Sequence, residues 1–226
     1  MYSDWTTTFF NGLSVEFWVT VAPPPSDAEI EFLRGVFQGR ELLDVACGAG
    51  RYTIPLARAG YAMTGVDLSD DFLSVAKERG PNIAWEKRDI RELPWKARFD
   101  GALCFGNSFG YFPPDETRAF LGGVARALRP GAAFVLEAPA TAESLLPNLQ
   151  RERRLEAGGI VFSSVNRYDE ARKRLDIEYT FEKAGTRETK HAATWVFTIA
   201  EVEAMLRAAG MEVENVYKSA LFVARK

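Results

Sequence analysis

Residues 42–50 of this 226-residue chain read LLDVACGAG, an apolar run closed by an acid and followed at once by a turn of small residues. Leu42 and Leu43, ending in Asp44 and followed by Val45, read as a buried strand closed by an acid. Gly48 and Gly50 remove side chains that would keep a ligand away from the backbone, and residues 52–59 can continue as a helix. The exposed amides of such a strand–loop–helix junction favour a polar or anionic group. A chain with this junction near its start is constrained to layers of strand and helix.

The downstream pattern agrees. Apolar strands are expected at 41–45, 62–66, 83–87, 101–105 and 133–137, alternating with helices at 52–59, 70–79 and 113–128. Gly60, Gly80-Pro81 and Arg129-Pro130-Gly131 supply the breaks. Ahead of them lies an aromatic segment with Tyr2, Trp5, Phe9, Phe10, Phe17 and Trp18, closed by Pro23-Pro24-Pro25. Ser26 and Glu29 then form a capping box that opens a helix to about residue 37.

From 160 to 197 the period changes to two: Leu175, Ile177, Tyr179 and Phe181 share one face, and Asp176, Glu178, Thr180 and Glu182 the other. Turn-prone residues at 169–171 and 184–186 make this an antiparallel meander. A second capping box, Thr198 with Glu201, starts a helix that ends at Gly210. The last strands, 211–217 and 220–226, are joined by so few residues around Lys218 and Ser219 that they must pair antiparallel. The expected fold is α/β: a doubly wound, seven-stranded, mostly parallel sheet with an antiparallel last strand and an inserted antiparallel β meander. The expected division is a core of 1–140 and 198–226, with 1–38 an aromatic cap and helix, and 141–197 an inserted platform for substrate or for a homodimer contact.

Composition narrows the function classes. A net charge of −3 with 28 Lys and Arg advertises no general polyanion surface, and the cluster Arg151 to Arg154, interrupted by Glu152, reads as a solvated face. No apolar run approaches the ~20 residues of a membrane span, and no signal-peptide pattern opens the chain. Cys47 and Cys104 stand in no C-x-x-C arrangement, which suits a reducing cytoplasm, and no metal-ligand spacing is present.

Four strand ends carry the chemistry: Asp44, Asp67, Asp89 and the segment Phe105-Gly106-Asn107. A dinucleotide and S-adenosylmethionine both offer an adenosine ribose to the acid that closes the second strand. The dinucleotide fingerprint G-x-G-x-x-G fails here, because Thr53 stands where the third glycine belongs. Asp44 would also sit awkwardly beside a pyrophosphate but well beside the ammonium of a methionine moiety. On these residues the chain resembles the class I S-adenosylmethionine-dependent methyltransferases. The pattern of an acid followed by G-x-G-x-G maps onto Asp44, Ala46, Gly48 and Gly50, with Ala46 replacing the first glycine as in glycine N-methyltransferase-like and sugar N-methyltransferase-like members.

That resemblance implies a division of labour around S-adenosyl-L-methionine. Asp44, Ala46, Cys47, Gly48 and Gly50 would hold its methionine end, and Asp67 with Leu68 its ribose. Asp89 with Ile90 would meet the adenine, and Phe105, Gly106 and Asn107 would floor the sulfonium. The match is good from Tyr2 to Pro139 and looser over the meander. It implies an enzyme that transfers a methyl group to nitrogen or oxygen of a small-molecule acceptor. A nicotinamide-dependent oxidoreductase and a non-catalytic S-adenosylmethionine-binding module remain the alternatives.

Methyl transfer needs a base only when the nucleophile arrives protonated. His191, the sole histidine, and Tyr111, which follows strand four, are the candidate catalytic residues; each has a plain packing or surface alternative. Trp5 and Phe9 are the best placed aromatics to close over a cationic sulfonium. Asn107-Ser108-Phe109-Gly110 lacks both prolines of the N-P-P-Y tetrapeptide of enzymes that methylate nucleic-acid bases, which argues against a nucleic-acid substrate.

Overall fold

The computed structural model describes residues 5–217 and 220–226; Tyr2 of the aromatic segment, and Lys218 and Ser219 of the closing link, lie outside the described residues. Two short helices lead, α1 (Trp5–Phe9) and α2 (Leu13–Val21), followed by α3 (Asp27–Val36), whose Ser26–Glu29 capping box is formed in both directions. The alternating part runs β1 (Glu41–Val45), α4 (Thr53–Arg58), β2 (Ala62–Asp67), α5 (Asp70–Arg79), β3 (Ala84–Lys87), β4 (Phe99–Cys104), α6 (Pro114–Ala127) and β5 (Leu128–Glu137). After α7 (Ala142–Leu145) come β6 (Glu152–Ala157), β7 (Ile160–Asp169), β8 (Arg174–Lys183) and β9 (Thr186–Trp195). The chain closes with α8 (Ile199–Ala208), β10 (Glu212–Tyr217) and β11 (Leu221–Arg225).

Seven strands form one sheet in the order β10-β11-β5-β4-β1-β2-β3. β1 pairs parallel with both β2 and β4, and β11 runs antiparallel to β5 and to β10, as the short closing link requires. The chain switches direction across the sheet between β1 and β4, so the crevice outside their carboxyl ends is where an open α/β sheet binds its ligand. Helices cover both faces: α6 and α8 lie over one apolar cluster, and α3 and α4 over another.

The second sheet, β6-β7-β8-β9, is antiparallel throughout. Here the structure adds what the pattern did not announce. The cluster Arg151 to Arg154, expected as a solvated face, is exposed, and its last three residues open the edge strand β6; the five leading residues of that strand are exposed, so no apolar alternation betrays it. β5 also begins five residues early, at Leu128 opposite Phe99, with the expected turn residues absorbed as an irregularity before Gly101.

The apolar face of this small sheet is covered by the chain itself in two patches along the strands. Toward one end Phe162, Phe181 and Ala192 pack against Trp5, Phe9 and Phe17 of α1 and α2. Toward the other end of the same face, Leu175 and Ile177, with Val196, meet Leu145, Leu146 and Leu149. Among the described residues the exposed large hydrophobics are Leu155 and Tyr217, so the open apolar face that suggested a homodimer contact is filled intramolecularly.

The corner between α1 and α2 is pinned to both sheets. Ser69 Oγ donates to the Phe10 carbonyl at 2.7 Å and the Gly12 amide donates to Asp71 at 2.9 Å, both at the start of α5. From β9, Lys190 Nζ donates to the Phe9 carbonyl at 2.9 Å and to Asn11 Oδ1 at 2.6 Å. The anchor of α2 is Phe17, fully buried and stacked on Phe162 at 4.7 Å with an interplanar angle of 10°. Phe17→Ala is expected to lower the unfolding free energy by about 3–5 kcal/mol. Chemical denaturation followed by tryptophan fluorescence reads this; a loss below about 1 kcal/mol would mean the stack does not hold the helix.

Candidate active site

The carboxyl ends of β1, β2 and β4, with the residues just after β3, open onto one cavity of about 1160 Å³. Asp44, Ala46, Cys47, Gly48 and Gly50 line it from the first loop, and Asp67 with Leu68 from the second. Asp89, Ile90, Phe105, Gly106 and Asn107 complete that wall, so every residue expected at the cofactor is brought to a single cavity. The opposite wall is aromatic and comes from the N-terminal helices and the small sheet: Trp5, Phe9, Phe10, Trp18 and Tyr179. Tyr111 stands between the walls, with its ring 4.8 Å from that of Trp5.

The three acids live in different environments. Asp44 is 3% exposed. Burial raises its pKa to about 7; the Thr53 hydroxyl, donating at 2.5 Å, pulls the other way, and the nearby Asp67 charge adds to the rise. Asp67 accepts the Gly48 amide on Oδ2 at 2.8 Å and the Ser69 amide on Oδ1 at 2.9 Å. Burial still holds its pKa above the usual carboxylate value, with those amides acting in opposition. Asp89 is chelated by Arg91 at 2.5–3.1 Å, and Arg91 reaches on to Glu116 at 2.5 Å. Hydrogen bonds from Arg91 outweigh the upward pull of burial and keep the Asp89 carboxyl ionised below its ordinary range.

Thr53, the residue that broke the dinucleotide fingerprint, therefore has a positive role: it opens α4 and clamps Asp44. The glycines divide. A Cβ on Gly48 would meet nothing within 4 Å, so this residue leaves open space along the cavity wall. A Cβ on Gly50 would lie 2.6 Å from the Trp85 ring, and one on Gly65 2.5 Å from the same ring. Gly50 thus makes room for Trp85 of β3 as well as for a ligand, a packing demand that the motif does not reveal. Ala46 has φ 58° and Asn107 φ 67°, left-handed conformations held at the tips of β1 and β4.

Buried polar atoms without partners mark where a ligand would be satisfied. Six buried side-chain atoms among the described residues bear on this, and two of them, Arg174 Nε and Asp176 Oδ1, are satisfied by each other in an ion pair at 2.9 Å. The other four are Trp5 Nε1, Trp18 Nε1, Arg51 Nε and Asn107 Oδ1, and all four residues line the cavity.

The two candidate catalytic residues separate. Tyr111 is in the cavity, where burial pushes its phenol upward and keeps it neutral. His191 is not: it is exposed on β9, opposite Glu178, while its neighbours Ala192 and Thr194 face the cavity. Side chains alternate along a strand, so the parity that brings Ala192 and Thr194 inward turns His191 outward. Sequence reasoning missed Thr53 as the partner of Asp44, and Arg51 and Arg153 as cavity residues. The first could have been found from its spacing to Asp44, and Arg153 from the parity of β6 had that strand been recognised.

Two measurements test this electrostatic picture in the ligand-free protein. Asp44 titrates near 7 folded and near 3.8 unfolded, so between those values the folded state retains a proton that the unfolded chain has lost. Stability contributed at acid pH is then lost as pH rises through that window, by roughly 4 kcal/mol at the upper bound. Asp44→Asn is expected to flatten this limb of a stability-against-pH series; an unchanged slope would refute the raised pKa. Ala46→Gly is expected to gain about 0.5–1 kcal/mol by relieving the left-handed alanine. Thermal unfolding that stays put or falls would show no strain at that residue.

The sequence profile described as a methyltransferase domain matches residues 42–131. The chain is 30% identical over 180 residues to dTDP-3-amino-3,6-dideoxy-alpha-D-glucopyranose N,N-dimethyltransferase of Streptomyces fradiae, covering 76% of this chain and 70% of that one. It is 30% identical over 191 residues to the cypemycin N-terminal methyltransferase of a Streptomyces species, covering 79% and 75%. A shorter match, 36% over 114 residues, spans 42% of this chain and 39% of rat (Rattus norvegicus) glycine N-methyltransferase. Among solved structures, the CcbJ methyltransferase of Streptomyces caelestis superposes with a TM-score of 0.75 at 20% identity, covering 99% and 94%. The sugar N-methyltransferase KedS8 of Streptoalloteichus superposes at 0.70 and 22%, covering 88% and 84%. With the strand ends, the cavity and these relatives together, the chain belongs to the class I S-adenosylmethionine-dependent methyltransferases and transfers a methyl group from S-adenosyl-L-methionine to a small-molecule acceptor.

Proposed function

We propose that this enzyme methylates an amine nitrogen of its small-molecule acceptor, and that the residues at the four strand ends hold the donor as the motif implies. Asp44 with the 46–50 loop would bind the methionine end, where a cationic ammonium offsets the cost of ionising a buried carboxyl. Each Asp67 oxygen accepts one amide and has a lone pair to spare for a ribose hydroxyl. Asp89, steadied by Arg91, and Ile90 would border the adenine, while Phe105, Gly106 and Asn107 would lie below the sulfonium. The observation that carries this reading is the gathering of all these residues, and of the four unsatisfied buried polar atoms, around one cavity.

When bound, the donor supplies a methyl group already activated on a positive sulfur. The chain's own part is to orient the acceptor, shut out water and face the cation with aromatic rings, Trp5, Phe10 and Tyr111 among them. Nitrogen is favoured over oxygen because His191 stands outside the cavity and the Tyr111 and Tyr179 phenols are held neutral by burial. A neutral amine attacks with its lone pair and releases its proton to water after the transfer, whereas a hydroxyl is nucleophilic enough only as it loses its proton to a base. The N-methyltransferases among the relatives agree with that choice.

The same reading assigns residues 1–140 with 198–226 to the donor-binding core and 141–197 to an acceptor platform. It takes the protein to act in the cytoplasm, where the buried thiols of Cys47 and Cys104 stay reduced, and on no nucleic acid. Among the described residues no helix is long and apolar enough to cross a membrane.

Asp67→Ala is expected to weaken S-adenosylhomocysteine binding at least ~tenfold, since it removes the ribose acceptor and frees the Gly48 amide together. Calorimetric titration of a variant that keeps its circular dichroism reads this; unchanged affinity would overturn the assignment.

A further inference from the structure

The donor half of the cavity holds its acids, and the acceptor half holds none. Asp44, Asp67 and Asp89 are the carboxylates that line the cavity, and each is engaged, by Thr53, by two backbone amides and by Arg91. Four guanidinium groups line the same cavity: Arg51 and Arg58 after β1, Arg79 at the end of α5, and Arg153 on β6. None of these four belongs to an ion pair among the described residues, although sixteen such pairs are formed elsewhere on the chain. Unpaired arginines gathered in one cavity of a chain with net charge −3 are not a sample of the general surface.

Arg153 is the most telling of them. It comes from the small sheet, away from the donor loops, and its charge is felt by the Tyr179 phenol on the cavity wall. The same cavity wall offers the indole N–H groups of Trp5 and Trp18 as donors, both buried and unpartnered, together with the Tyr179 hydroxyl, which can donate as well as accept. A cavity wall rich in donors and cations, without a carboxylate of its own, is matched by a ligand rich in acceptor oxygens. The positive donor makes the need for a counter-charge greater.

We infer that the acceptor is an anion, an amine that also carries a phosphate or carboxylate group, anchored chiefly by Arg153 of the small sheet, with Arg51 of the glycine loop as the second cation. This rests on the methyl-transfer reading above and names the substrate class for the same site. Arginine suits the task because its planar fork grips a phosphate or carboxylate through two N–H groups. Arg153 lies on an exposed edge strand, so its substitution leaves the packed core untouched.

The test uses the full chain. Binding of S-adenosylhomocysteine is first measured by calorimetry; the loaded protein is then titrated with pyrophosphate, uridine diphosphate and succinate, with tryptophan fluorescence as the readout. At least one anion is expected to bind, more weakly as salt rises, and Arg153→Gln is expected to cost it about tenfold or more in affinity. Arg153→Lys should retain most of the binding, and all three proteins should bind S-adenosylhomocysteine alike. The two phosphate probes against succinate tell a phosphate ligand from a carboxylate. Anion binding that is indifferent to Arg153→Gln, or no anion binding by a protein that takes S-adenosylhomocysteine normally, would overturn the inference and leave the donor assignment standing. Failure of the parent chain to bind S-adenosylhomocysteine would overturn the donor assignment itself, and this inference with it.

Discussion

Two carboxylates buried at neighbouring strand ends set the terms for everything around the cavity. Asp44 and Asp67 close β1 and β2, which pair in parallel, and neither is more than 9% exposed. Taking such groups out of water is costly unless they are neutral or hydrogen-bonded. The glycine loop answers both needs: its Gly48 amide goes to Asp67, and Thr53 at its far end goes to Asp44. Loop and acids therefore specify each other. That mutual constraint is what holds Ala46 in a left-handed conformation that an alanine would not choose alone.

The alternating core was legible because buried parallel strands leave a clear record, short apolar runs that end at an acid or a turn of small residues. β1 and α5 fall on the expected residues, and both capping boxes form as the spacing of Ser26 with Glu29 and Thr198 with Glu201 required. What was not legible depends on neighbours distant in sequence. Trp85 imposes its ring on Gly50 and Gly65 from another strand, so the motif could not tell a glycine kept for a ligand from one kept for an indole. β6 carries Glu152, Arg153 and Arg154 because an edge strand gains from charge that discourages pairing with another chain, and that composition hides it from any search for apolar alternation. His191 was judged by residue type; strand parity was the signal that would have placed it outside.

The aromatic N-terminus is expected from its sequence to close over the cationic donor through Trp5 and Phe9, and its packing shows a broader task. Trp5 and Phe9 belong to the apolar cluster of the small sheet and also line the cavity, so one set of rings serves packing and site together. The corner at Phe9 to Leu13 exchanges hydrogen bonds with the start of α5 on one side and with β9 on the other: it accepts from Ser69 and Lys190 and donates to Asp71 and Glu188. Lys190, drawn partly out of water there, has its pKa lowered by burial, with the Glu188 charge opposing that shift. The position of the aromatic wall relative to the donor loops is thereby fixed by contacts to both sheets, a precondition for holding two reactants in line.

A cavity that satisfied all its own polar groups would gain little from a ligand. A buried donor or acceptor left alone costs on the order of 1–3 kcal/mol, so a protein whose whole stability is about 5–15 kcal/mol can carry few of them. This chain concentrates its unsatisfied atoms, those of Trp5, Trp18, Arg51 and Asn107, around the place where a carboxyl is also kept from ionising freely. Each would be relieved by a ligand that brings a donor to Asn107, a cation to Asp44 and acceptors to the indoles and guanidinium. Since anything that binds the folded state alone stabilises it, the deficit is recovered as affinity. The distribution of that deficit, with Asn107 and Asp44 at the strand ends, the indole donors on the aromatic wall and the Arg51 donor on the glycine loop, has the polarity of two different ligands meeting end to end: one cationic on the side of Asp44, the other anionic on the side of Arg153.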